Sequence, residues 1–214
     1  MPIYRRKISA VYGNFIIELQ RLERLDGQNQ RNFSTPVGGK AAQISLRQMH
    51  FLTESIFFAA YRAYESFVRD CFLLYCLGAT TRAGASITSY LNPKDFPHAE
   101  KLIQSSMPHL DWTNPETMIT RSELYLKDGF PFKLPYSTNI STLHDFRRIR
   151  NHIAHNSKES LDHYKITLRS HYSTIPLIIP SPGEFLLFPD NVNPTKYKLL
   201  TFFELLEKLS NDLT

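Results

Sequence analysis

The stretch "RRIRNHIAHNS", Arg147 to Ser157, sets three arginines, two histidines and two asparagines around Ile149, Ile153 and Ala154. On a helix at about 100° per residue, with Arg150 at 0°, Ala154 falls at about 40°, Arg147 at about 60°, Asn151 at about 100° and His155 at about 140°. Phe146, Ile149 and Ile153 gather at about 260–320°. One arc therefore docks on a core. The adjacent arc carries two arginines, an amide and an imidazole around one small residue, Ala154, which leaves room for a ligand or another backbone.

These groups suit cleavage of RNA without a metal. An arginine fork holds a phosphate and stabilises charge on its oxygens. A histidine takes the proton from a ribose 2′-hydroxyl or protonates the leaving 5′-oxygen. Asn151 would orient the phosphate or the imidazole. The reaction wants both a base and an acid, and a symmetric dimer supplies a second copy of each group. The spacing alone is permissive: arginine, four residues, then histidine is expected by chance roughly 0.5 times in this composition. It also leaves alternatives open. Arg147 and His152 share the spacing of Arg150 and His155, and Arg148 precedes His155 with six residues between. A solvated polar face is the competing explanation.

The remaining candidates are weaker. Glu65, inside an apolar helix, would orient His155 or Arg150, or else pair with Arg69 or Arg62 on its own helix. Asp70 would pair with an arginine of the motif helix, or simply be a surface charge. His152 stands about 60° from His155 in the same projection, either assisting catalysis or lying on the helix flank. His98, His109 and His163 lack zinc-ligand spacing, so no metal is expected. "VGGK", Val37–Lys40, lacks the spacing of a phosphate loop, and no cofactor is expected. Trp112 reads as a packing residue.

The elements that must hold the motif follow from periodicity. Ile8, Val11, Phe15, Leu19 and Leu22 mark an amphipathic helix ending at Gly27, followed by a polar connection, "DGQNQRNFSTPVGGKAA". A long helix from about Ile44 to Leu77 is apolar nearly all round, which makes it central to the domain or part of a subunit interface. Six prolines between Pro93 and Pro135 cut the next region into loops and short helices within "FPHAEKLIQSSM" and "NPETMITRSELYLKDG". Thr142 and Asp145 form a variant capping box that starts the motif helix, over about 142–157. A further helix is expected from Glu159 to Ser170. "STIPLIIPSPGEFLLFP" reads as a β-hairpin, and "PTKYKLLTFFELLEKLSNDL" as a closing amphipathic helix.

Composition sets the frame. The 214 residues are 42% hydrophobic and 13% aromatic, enough for a sizeable core. The net charge of +5 is compatible with nucleic acid, and the basic residues cluster at Arg5–Lys7 and Arg147–Arg150. Cys71 and Cys76 point about 140° apart on one helix and cannot pair, so they are expected as buried free thiols in a reducing compartment. "MPIYRRKISA" has no apolar segment after it of the kind a signal peptide needs, and no uninterrupted apolar run has membrane length. A soluble cytoplasmic protein, with no membrane partner, is the expectation.

"IRNHIAH", Ile149–His155, resembles the motif of the HEPN superfamily: an arginine, often a polar residue after it, and a histidine four to six residues on. "FFAAYRAYESFVRDCFLLY" and "LDWTNPETMITRSELYLKDGFPF" resemble the RiboL-PSP-type subgroup, as do the C-terminal segments, so the resemblance covers most of the chain from about residue 45 on. It implies a mainly α, HEPN-type helical bundle with a small C-terminal β-hairpin. The organisation expected is one domain over 1–214, with a core of about 44–214 and the N-terminal helix of about 8–26 packed on it or swapped. It further implies a homodimeric, metal-independent endoribonuclease of toxin–antitoxin or antiviral-defence type, acting on an RNA substrate, with a possible antitoxin or defence-system partner. Arg150 becomes the motif arginine, Asn151 the polar residue after it and His155 the motif histidine, with Glu65, Arg147 and His152 supporting. The subset silenced by adenylylation carries a tyrosine two residues after the histidine; here that position is Ser157, so such silencing is not expected. The alternative is a non-catalytic HEPN module binding RNA, a nucleotide or a protein partner; a third reading is a dimeric helical scaffold with no RNA affinity.

Overall fold

The computed structural model describes residues 7–34, 44–105 and 111–214. The chain is mainly α. The helices are α1 (Ile8–Ser34), α2 (Leu46–Cys76), α3 (Phe96–Gln104), α4 (Pro115–Tyr125), α5 (Lys133–Thr138), α6 (Ile140–His155), α7 (Lys158–Tyr172), α8 (Pro182–Leu187) and α9 (Lys198–Asp212), with a 3-10 turn at Lys127–Gly129. Arg5, Arg6, His109 and the "VGGK" stretch lie outside the described residues, as does the end of "FPHAEKLIQSSM". Among the described residues no helix is long and apolar enough to cross a membrane.

The chain forms two compact units. The first comprises Met1–Ile17, Ala63–His144 and Glu207–Thr214; the second comprises Glu18–Arg62 and Asp145–Leu206. The first is built on the aromatic face of α2. Phe72 meets Phe132 at 5.2 Å and Trp112 at 5.6 Å between ring centres, which makes Trp112 a packing residue. Phe67 stacks on Phe15 of α1 at 4.8 Å. The buried phenols find partners: Tyr64 donates to Tyr136 at 3.2 Å, and Tyr75 to the carbonyl of Leu213 at 2.7 Å. Cys71 and Cys76 are free and buried, and burial pushes the Cys76 thiol up to about 12. The short helices start as their sequences dictate. Asp95 and Asn114 each accept a backbone N–H in the first turn, with proline just after the cap.

In the second unit Phe57 of α2, Phe146 of α6 and Phe202 of α9 form an aromatic triangle, with Phe202 at 4.5 Å from Phe57 and 4.7 Å from Phe146. The helix α8 closes against α2 at Gly183, whose N–H donates to Glu54 at 2.8 Å.

Three expectations are corrected. The helix α1 does not stop at Gly27 but runs to Ser34. One glycine inside a helix costs only about 1 kcal/mol, and the turns around it are held by Asp26, which accepts a hydrogen bond from Tyr197. The motif helix starts at Ile140, before Thr142, and Asp145 caps nothing; the capping box is Ser157 with Ser160, opening α7. The C-terminal β-hairpin is absent among the described residues. Ser181 caps α8 by accepting from Glu184 N at 3.1 Å, with Pro182 at the first helical position. "SPGE" is thus a helix start rather than a hairpin turn. The one antiparallel bridge near it joins Pro189 to Tyr197.

Candidate functional site

The motif occupies the last turns of α6, within the second unit. Phe146 and Ile149 are buried, and Ile153 is half-buried, so the apolar arc docks as its spacing requires. The opposite arc presents Arg147, Arg150 and Asn151, all half-buried, then Ala154 and His155, both exposed. The helix ends at His155 because Asn156 turns into the left-handed region at φ 43°, where asparagine is tolerated best after glycine. Ser157 then caps α7. His155 therefore stands at the corner between two helices.

The structure sorts the competing pairs. Arg148 is committed to Asp145, with Nη1 at 3.0 Å from Oδ1. Asp145 also accepts from Thr167 at 2.9 Å and from Ser170 at 3.4 Å, and lies 3.7 Å from His171 Nε2, so it ties α6 to α7. His152 is committed as well. Its ring stacks on Tyr164 at 5.1 Å, its Nδ1 lies 3.1 Å from Ser160 Oγ, and burial pushes its pKa down. The ring is thereby packed against α7.

Asn151 and His155 differ from these. The Arg150 guanidinium lies over the ring of Tyr61, 5.1 Å from its centre. Tyr61 is itself buried and stacked on Phe202. A cation over an aromatic face is attracted by about 0.5–2 kcal/mol, so this contact helps to hold the charge. The side chains of Asn151 and His155 make no hydrogen bond, ion pair or ring contact among the described residues. They are available to a ligand. Arg150 and His155 lie five residues apart, about 7.5 Å along the helix axis.

Glu65 is half-buried on α2, in the first unit. Arg69, one of the alternatives considered for Glu65, pairs with Glu100 at 2.6 Å and with Asp70 at 3.3 Å. Asp70 thus meets an arginine of its own helix. Among the described residues no group of three His, Cys, Asp or Glu side chains is placed to hold a metal ion.

Sequence reasoning missed a polar network beside the motif helix. Lys198, nearly fully buried, lies 3.3 Å from His171 Nδ1, donates to Asn191 at 3.1 Å and sits over the Phe185 ring. Burial pushes the Lys198 ammonium and the His171 imidazole down. Asp145, His171 and Lys198 come from three separate elements, so no spacing in the sequence signals them.

No protein-family model, curated protein or solved structure matches this chain.

Proposed function

We propose that the protein is a metal-independent endoribonuclease of the HEPN type, acting in toxin–antitoxin or antiviral defence as a homodimer. The observation that supports it most is the division of labour on α6. Arg148 and His152 are tied into packing, while exposed His155 and half-buried Asn151 keep open hydrogen-bonding capacity on the helix that also sets Arg150 over Tyr61. That leaves the histidine and the asparagine of the "IRNHIAH" pattern for a ligand, beside its arginine.

In the reaction, His155 takes the proton of a ribose 2′-hydroxyl. The 2′-oxygen attacks the adjacent phosphorus, and the bond to the 5′-oxygen breaks. Arg150 stabilises the charge gathering on the non-bridging oxygens, assisted by Arg147, and Asn151 orients the phosphate. His155 of a second copy protonates the leaving 5′-oxygen. The products are a 2′,3′-cyclic phosphate and a free 5′-hydroxyl, so atoms and protons balance. The test is incubation of the purified protein with single-stranded and transfer RNA in EDTA. A folded dimer that binds RNA without cutting it would instead favour a binding module, and a dimer with no salt-dependent RNA affinity would contradict both.

A further inference from the structure

The first unit contains an open-sided cavity of about 830 Å³ beside the start of α1. That is the size range of small-ligand pockets. Lys7, Arg82 and Lys94 line it, against the single carboxylate of Asp95. Asp95 already accepts the N–H of His98 at 2.8 Å to cap α3. None of the three cations has an ion-pair partner among the described residues.

Arg82 is preorganised. Its guanidinium stacks 3.6 Å from the centre of the Tyr12 ring, and Nη1 lies 3.4 Å from both Asn211 Oδ1 and Thr214 Oγ1. Tyr12 in turn donates to Asn211 at 2.8 Å. These side-chain partners are uncharged. They hold the fork at the edge of the cavity without an ion pair, which leaves its charge for an anion. The lining also includes the apolar Leu74, Leu77 and Phe96. A bare phosphate would leave these side chains unused.

We propose that this cavity binds a phosphorylated small molecule of nucleotide size, its phosphate held by Arg82, Lys7 and Lys94 and its base against Leu74, Leu77 and Phe96. The inference does not depend on the nuclease reading, because Arg147 and Arg150 lie in the other unit.

The test is calorimetric titration of the full chain with AMP and ATP, with adenosine and inorganic phosphate as controls. Saturable binding of AMP or ATP is expected, tighter than either control. It should weaken by about tenfold or more in the Lys7→Gln/Lys94→Gln variant, the effect of losing charge-assisted contacts to phosphate. Both lysines are exposed, so this variant folds. Binding should persist in Arg150→Ala. Four results would overturn the proposal: no saturable binding of either nucleotide, affinity unchanged in the lysine variant, affinity lost in Arg150→Ala, or inorganic phosphate or adenosine binding as tightly as AMP.

Discussion

The guanidinium of Arg150 sits 5.1 Å above the buried ring of Tyr61. The contact links the core of the second unit to the charge that would face a phosphate. Tyr61→Phe keeps the aromatic face and should cleave RNA faster than Tyr61→Leu, which removes it. Tyr61→Leu loses about 0.5–2 kcal/mol of cation–π attraction, so cleavage should slow by roughly 2- to 30-fold. Cleavage rates on one RNA, with unfolding curves showing both variants folded, check this. Equal rates for Leu and Phe would mean that the ring does not position Arg150.

Acid should destabilise the protein through two histidines. Burial holds the pKa of His152 and His171 below the ordinary value of about 6.5. For a base with a depressed folded pKa, the unfolded chain takes up the proton first. The stability is therefore full above about pH 6.5 and falls as the pH drops toward the folded values. Lys198 beside His171 adds to the cost of charging that ring, and Asp145 offsets part of it. Thermal midpoints should be lower at about pH 5.5 than at about pH 7.5, and His152→Gln should show a smaller drop. Identical slopes for parent and variant would remove His152 from this account.

Asp26 acts in the opposite sense. It is almost wholly buried, and burial raises its pKa although Tyr197 donates to it. An acid whose folded pKa is raised contributes stability below the unfolded value of about 3.9 and loses it as pH rises through the folded one. Asp26→Asn keeps an acceptor for Tyr197 and removes the buried charge. The variant should be the more stable one at neutral pH, and its advantage should vanish below about pH 4. Urea unfolding at both pH values measures this.

Gly183 lies where α8 meets the backbone of α2. A β-carbon there would lie 2.2 Å from the carbonyl oxygen of His50. Backbone cannot swing aside as a flexible side chain can. Gly183→Ala should cost at least the upper end of the about 1–3 kcal/mol typical of overpacking, read as a lower urea midpoint. A loss under about 0.5 kcal/mol, the level of a neutral surface change, would show that α8 moves freely.

The helices were legible in the sequence wherever one apolar stripe faced one core. The spacing of Phe146, Ile149 and Ile153 predicts the arc of the motif helix that docks, though not where the helix starts. Helix ends were less legible. "PSPGE" suits a turn as well as a helix start, and only the packing of Gly183 on α2 decides between them. Thr142 and Asp145 looked like a cap because the partners of Asp145, on α7, are distant in sequence. The same limit applies to the site. Periodicity put two arginine–histidine pairs in the same few turns. Separating His152 from His155 required Ser160 and Tyr164, which come from the next helix.

The most direct test of the central claim is the chemistry of the product ends. The purified protein and its His155→Ala variant would be incubated with single-stranded and transfer RNA in EDTA, and the fragments read by mass. The account predicts chelator-resistant fragments ending in 2′,3′-cyclic phosphates, abolished in the variant while its fold and dimer persist. A His155→Ala protein that cuts like the parent, or fragments ending in 3′-hydroxyls, would contradict it.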